Sequence, residues 1–121
     1  MRPGITELQL WALLNYTNLA NNGDWHDGRM LASGDRINPW YQEASTRKLE
    51  AGDLVGFDTD MVGPSGYCAD VSRTFFCGPG RPTNRQKFLY RQAVEEIDHN
   101  LRLVRHGITL EEFGKQAFVQ P

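Results

Sequence analysis

Apolar positions recur at helical spacing in two long stretches of the chain and gather into short β-prone runs between them. From residues 6 to 21, Leu10, Leu13, Leu14 and Thr17, with Trp11 beside them, form one stripe, so this stretch is expected to pack that face into a core. Thr6 followed by Gln9 has the spacing of a capping box, in which each side chain accepts the other's backbone N–H. Asn21-Asn22-Gly23 supplies the stop. A longer helix opens at Thr83, again with Gln three residues on at Gln86. Its Phe88, Leu89, Ala93, Ile97, Leu101 and Val104 fall on or near one stripe, and Gly107 stands where a C-terminal cap belongs. Thr109 with Glu112 opens a third helix, which reaches Pro121 in about three turns.

The run Asp53 to Phe76, DLVGFDTDMVGPSGYCADVSRTFF, reads as two strands joined by a Gly-Pro-Ser-Gly turn. Residues 23 to 40 are polar and turn-rich, with Arg29 to Ser33 as a possible further strand. Residues 41 to 52 read as a short helical or irregular connection ended by Gly52, and Gly78-Pro79-Gly80-Arg81-Pro82 breaks the chain before the long helix. The fold class is therefore α+β, an antiparallel hairpin packed with helices.

The hairpin concentrates three carboxylates, Asp58, Asp60 and Asp70. Strand residues two apart point to one face, so Asp58 and Asp60 share a face. A two-residue loop at Pro64 and Ser65 would pair Asp60 with Ala69 and send Asp70 to the other side. A three-residue loop, Pro64 to Gly66, or a bulge would set Asp60 against Asp70 and Asp58 against Ser72. Pro64 favours a loop position, having no N–H for a ladder. Asp is a poor strand former, and like charges across strands destabilise a sheet. Such a trio calls for solvent or a cation. The alternatives are three carboxylates on one metal, or Asp58 and Asp60 capping loops or facing water on an edge strand.

With 121 residues and a formal net charge of −2, the chain suits one small domain and shows no basic stripe for nucleic acid. No apolar run is long enough to span a bilayer, and MRPGITEL lacks the apolar core of a signal peptide. Cys68 and Cys77, on one extended strand, would stand about 30 Å apart, beyond disulfide reach. Both are expected to be small buried thiols in a reducing compartment, the cytoplasm. His26, between Trp25 and Asp27, is expected at the surface or hydrogen-bonded, and His99 and His106 on a solvated helix face. Trp40 and Tyr41, after Pro39, are candidates for the wall of a substrate pocket. Three carboxylates alone are few for a transition metal, which usually recruits imidazole too. Further strands and ligands are therefore expected outside these residues, and the chain reads as a fragment: 1–121 as the N-terminal part of one larger catalytic domain.

GDLVGFDTD and GYCADVSRTFF, followed by a Gly-Pro loop and a Thr-capped helix, resemble the pita-bread superfamily of creatinase, aminopeptidase P, prolidase and methionine aminopeptidase. The likeness covers about residues 29 to 118. It implies a partial pita-bread fold and a dinuclear divalent metal site, with Asp58 and Asp70 as the ligands contributed by the two hairpin strands. The family's remaining ligands, a His and two Glu, lie on later strands absent here. Three departures narrow the resemblance. Asn38-Pro39-Trp40 puts Trp40 where the peptidases place a His, Asp60 stands where they have a small residue, and the spacing from Asp58 to Asp70 is one residue longer. Together these are similar to the dimethylsulfoniopropionate lyases of that fold, which implies Asp58, Asp60 and Asp70 all as metal ligands. Iron is the metal implied first, with manganese, cobalt or zinc as others. The resemblance also implies a small-molecule substrate and a homodimer at full length, with no catalytic residue inside this stretch. An Xaa-Pro metallopeptidase and a non-catalytic pita-bread binding module are the other readings.

Overall fold

A computed structural model describes residues 1–40 and 42–119. The chain divides into two compact units, Met1–Arg81 and Pro82–Pro121. In the first, helix α1 (Glu7–Ala20) precedes β1 (Leu31–Ser33), a short 3-10 turn (Gly34–Ile37), β2 (Leu54–Asp58), β3 (Met61–Val62), β4 (Cys68–Ala69) and β5 (Ser72–Phe76). Strands β1, β2 and β5 form an antiparallel sheet with β2 in the middle, and β3 pairs with β4. The 41–52 connection is irregular, joined to the rest by bridges from Glu43 to Met30 and from Lys48 to Thr6.

Alternation along β2 gives the sheet two unlike faces. Val55, with Leu31 of β1, joins Trp11, Ala44, Leu49 and Cys77 in the buried core, and Phe57 packs against it. Gly56 and Asp58 project the other way.

Helix α1 begins as its capping box predicts, with Thr6 and Gln9 exchanging backbone N–H bonds. The expected stripe is buried in part: Trp11 joins the core and Leu10 and Leu14 pack against it. Glu7, Trp11 and Asn18 are buried, while Leu13 is 57% exposed. Glu7 and Asn18 owe their burial to polar contacts. Glu7 is fully buried and accepts five hydrogen bonds. Oε1 accepts the backbone N–H of Ser33 at 2.8 Å and its hydroxyl at 2.6 Å. Oε2 accepts the same two groups of Ser45, at 2.9 and 2.6 Å, and is ion-paired with Arg36. Ser33 Oγ in turn accepts Arg47 Nη1, whose guanidinium holds Asp53 at 2.6 Å. Asn18 reaches from the last turn to the Val62 carbonyl of β3 at 3.0 Å and lies over Gly23, where a Cβ would meet its Oδ1 at 1.9 Å.

In the second unit, α2 (Asn84–Leu103) and α3 (Leu110–Gln116) each start with the predicted capping box. Helix α2 stops at Leu103 with Val104 extended, so Gly107, at φ 82°, sits in the turn beyond rather than at the cap. Its stripe is not buried: Ile97 and Leu101 are 58% and 64% exposed. Nε2 of His99 donates to the Gln116 carbonyl at 2.8 Å, and Asn100 accepts the Phe118 N–H at 2.9 Å, which ties α2 to the end of α3. Among the described residues no helix is long and apolar enough to cross a membrane.

Burial raises the affinity of Glu7 for a proton, but bonds from Ser33, Ser45 and Arg36 outweigh it, so its pKa lies below the ordinary value of 4.5. Asp53, also held down on balance by Arg47 and the Glu50 N–H against burial, behaves alike. Both groups contribute stability that is complete above the ordinary carboxylate range and is lost as pH falls through their depressed folded values. Denaturant unfolding of the intact protein should therefore show stability falling from about pH 4.5 downward. Glu7→Gln at neutral pH should cost roughly 3 kcal/mol, because its buried amide NH2 then faces hydrogen-bond donors of Ser33 or Ser45 and the ion pair to Arg36 is lost. Thr6→Ala, at an exposed cap, should cost about 1 kcal/mol. Equal costs for the two substitutions would contradict this assignment.

Candidate metal centre

The hairpin adopts the three-residue loop. Gly63 and Tyr67 close it with a 2.8 Å backbone bond around Pro64–Gly66, and Ser65 and Gly66 turn the chain at φ 63° and 75°. One pairing offset holds on both sides of an interruption. Asp58 faces Ser72, Met61 faces Ala69 and Val62 faces Cys68. By that offset Thr59 lies opposite Val71, and Asp60 opposite Asp70.

The two expected continuous strands are each broken there. Asp60 has φ 28°, outside the strand region. The Thr59 side chain replaces the missing ladder bonds, with Oγ1 accepting the Val71 N–H and donating to the Val71 carbonyl, both at 3.2 Å. The loop 24–27 supports the other edge. Asp24 N–H donates to Val62 O, Val62 N–H to Trp25 O and Asp27 N–H to Asp60 O, at 2.9, 2.8 and 3.0 Å. His26 anchors this loop to α1. Its Nδ1 donates to Asn15 Oδ1 at 3.1 Å, and its ring meets Trp11 edge-on at 5.6 Å. Among the described residues Nε2 is buried without a partner, and burial lowers the pKa of the ring, which favours the neutral imidazole.

Ligand atoms of Asp58, Asp60 and Asp70 all lie within 4.8 Å of one another. Asp58 is 7% exposed and its Oδ1 accepts the Ser72 hydroxyl at 2.8 Å. Asp60 is half-buried and Asp70 exposed. Among the described residues none of the three has a salt bridge to Lys or Arg. The negative charge of Asp58, then that of Asp60, pushes the Asp70 carboxyl above its ordinary value. Three converging hard oxygen donors with no protein cation suit a divalent metal, with further ligands needed to complete its shell.

A cleft of about 320 Å³ opens beside the carboxylates, lined by Trp25, Asp27, Asp60, Met61, Cys68 and Asp70 among others. Cys68 is exposed, against the expectation of a buried thiol, because position 68 shares the outward face of Asp70. Cys77 is buried as expected, and burial raises its pKa. Trp25 and Asp27 were not distinguishable as cleft residues from local sequence, since only their pairing with β3 brings them there. Trp40 lies over Gly56, on the carboxylate face of β2. Tyr41 lies outside the described residues. His99 and His106 belong to the other unit, where His99 serves the contact with Gln116.

The model of metallopeptidase family M24 matches residues 1–118. The chain is 34% identical over 112 residues to the dimethylsulfoniopropionate lyase DddP of Roseovarius nubinhibens, covering 93% of this chain and 25% of that protein. It is 35% identical over 117 residues to DddP of Roseobacter denitrificans, covering 96% and 26%. Among solved structures, an X-Pro aminopeptidase from Thermotoga maritima gives a TM-score of 0.84 at 27% identity, over 95% of this chain and 32% of that one. Prolidase from Pyrococcus furiosus gives 0.84 at 25% identity, over 93% and 33%. The chain thus spans about a quarter of the length of these curated relatives.

Metal uptake should compete with the Asp70 proton. Calorimetric titration of the intact protein with manganese should show proton release that grows as pH falls. Affinity should weaken by about tenfold per pH unit once Asp70 is protonated. Asp58→Asn, which removes the larger cause of the Asp70 shift, should reduce both the release and the affinity. Uptake independent of pH across the acid range would rule out Asp70 as a ligand.

Proposed function

The chain belongs to metallopeptidase family M24 and carries part of its pita-bread fold, and from that premise we propose that it forms part of a lyase cleaving dimethylsulfoniopropionate to dimethyl sulfide and acrylate. The observation that carries this reading is the third carboxylate: Asp60 converges with Asp58 and Asp70. The likeness to the two lyases supports it. The family works with a pair of divalent metal ions, and we assign Asp58, Asp60 and Asp70 as the ligands this chain contributes, with iron as the metal. A bound divalent metal supplies Lewis acidity toward the substrate carboxylate.

The chain's own residues have two tasks in this reading. The three carboxylates would hold a divalent cation, whose positive charge would attract the acid end of the substrate beside the sheet. Trp40, on the same face, walls the site and attracts the cationic sulfur through its ring. Elimination then needs a base to take the proton from the carbon next to the carboxylate. The carbon–sulfur bond breaks as the double bond forms, and its electron pair leaves with neutral dimethyl sulfide. We place that base outside this chain.

An Xaa-Pro metallopeptidase is the second reading, favoured by the fit to the X-Pro aminopeptidase and the prolidase. Gas chromatography of the intact protein with dimethylsulfoniopropionate separates the two, since the lyase releases dimethyl sulfide and leaves Xaa-Pro dipeptides intact. Trp40→Ala should raise KM for the sulfonium substrate roughly 5- to 30-fold, matching the loss of about 1–2 kcal/mol of cation–π attraction. Dipeptide cleavage with no sulfide released would remove the lyase reading.

A further inference from the structure

Strand β2 carries a glycine at its centre. Gly56 pairs with Ala32 on one side and Thr74 on the other. Glycine inside a paired strand is unfavourable, because it gives up more backbone freedom than other residues and packs no side chain. Gly56 is not among the positive-φ glycines, so its backbone conformation does not require it. The space above it does. A Cβ at Gly56 would stand 2.4 Å from Cζ3 and 3.0 Å from Cη2 of Trp40. The six-membered ring of the indole therefore occupies the place of the absent side chain.

That place is next to the carboxylates. Same-face positions on a strand recur about every 7 Å, and Asp58 follows Gly56 by two residues. Trp40 keeps 36% of its surface exposed, so part of the ring faces the space over the sheet. The cleft lined by Trp25 and Met61 lies toward the Asp60–Asp70 end. The indole thus bounds the carboxylate cluster along β2 on the Gly56 side.

We propose that Gly56 is a positioning residue that sets substrate specificity through Trp40. Its missing side chain seats the indole on the strand beside Asp58, where the ring limits what can approach the carboxylates along β2. The identity of the substrate rests on the lyase reading; the seat itself does not. The atoms nearest the absent Cβ are the far end of the Trp40 side chain. A methyl group at position 56 should therefore displace the ring and leave the strand and its carboxylates where they are.

The test uses the intact protein labelled with 5-fluorotryptophan, the Trp40 resonance being assigned with Trp40→Phe. Gly56→Ala should move the Trp40 fluorine signal, leave those of Trp11 and Trp25 in place, and keep the bound-metal stoichiometry of the parent. KM for dimethylsulfoniopropionate should rise about tenfold with kcat changed less than twofold. Gly56→Ala/Trp40→Ala should match Trp40→Ala alone, because the methyl group then meets no ring. An unmoved Trp40 signal, or effects on KM that simply add, would overturn the proposal. A parent protein that releases no dimethyl sulfide refutes the lyase reading only, and the fluorine signals then decide the seat. Should Gly56→Ala fail to fold, the double variant is expected to fold and bind metal. Its failure too would mean that the strand itself demands glycine, and would overturn the proposal.

Discussion

One fully buried carboxylate, Glu7, organises the larger unit of this chain. It sits in the first turn of α1, where the helix dipole favours a negative charge. It joins that turn to β1 through Ser33, to the 3-10 turn through Arg36 and to the irregular connection through Ser45. Two further N–H groups of the helix start, those of Glu7 and Leu8, donate to the carbonyls of Arg47 and Ser45 at 3.0 and 3.1 Å. A buried charge is tolerable only when its lone pairs are filled, and a complete network of this kind fixes one arrangement of the segments that contribute to it. Through Ser33 and Arg47 the network continues to Asp53, one residue before β2 begins. The start of the site-bearing strand is thereby tied to the helix.

The same residue type then meets opposite treatment at the two ends of β2. Asp53 receives a guanidinium and a backbone N–H, and its pKa falls despite burial. At the far end Asp58 receives one hydroxyl, and Asp60 and Asp70 receive each other's repulsion. If the hairpin acids served only to hold the fold, a Lys or Arg among them would be the economical arrangement. The chain has 13 such cations, and none pairs with the trio among the described residues. That contrast separates a carboxylate that joins segments from carboxylates with no protein cation among the described residues, as the proposed metal site requires.

How much of this was legible follows the range of the interaction. All three capping boxes, at Thr6, Thr83 and Thr109, were readable because each is complete within four residues. Strand alternation made Asp58 and Asp60 partners, but left Asp70 open until the loop length was known. The face of α1 was legible only in part: Leu10, Trp11 and Leu14 meet the core as the stripe indicates, but Glu7 and Asn18 are buried through contacts that are polar and distant. Glu7 and Asn18 are buried by partners 26 to 44 residues away, which no periodicity of apolar residues can report. The apolar stripe of α2 was read correctly as a stripe, yet it is largely exposed rather than a core face. Trp25 and Asp27 were missed as cleft residues for a related reason, since loop 24–27 reaches the site by pairing with β3.

The break in the hairpin is the feature that turns register into a site. In an unbroken strand, side chains two apart start about 7 Å from each other and run parallel, which favours separate solvation of Asp58 and Asp60. Here Asp60 takes φ 28°, a conformation that a residue with a side chain adopts only at a cost. Thr59 compensates by supplying from its hydroxyl the donor and acceptor that the backbone gives up, and Asp27 takes the Asp60 carbonyl. The outcome is that ligand atoms from three carboxylates come within 4.8 Å without loss of the pairing offset on either side. Strain at one residue, offset by its neighbours, thus draws like charges together, which is the arrangement the proposed divalent cation would stabilise.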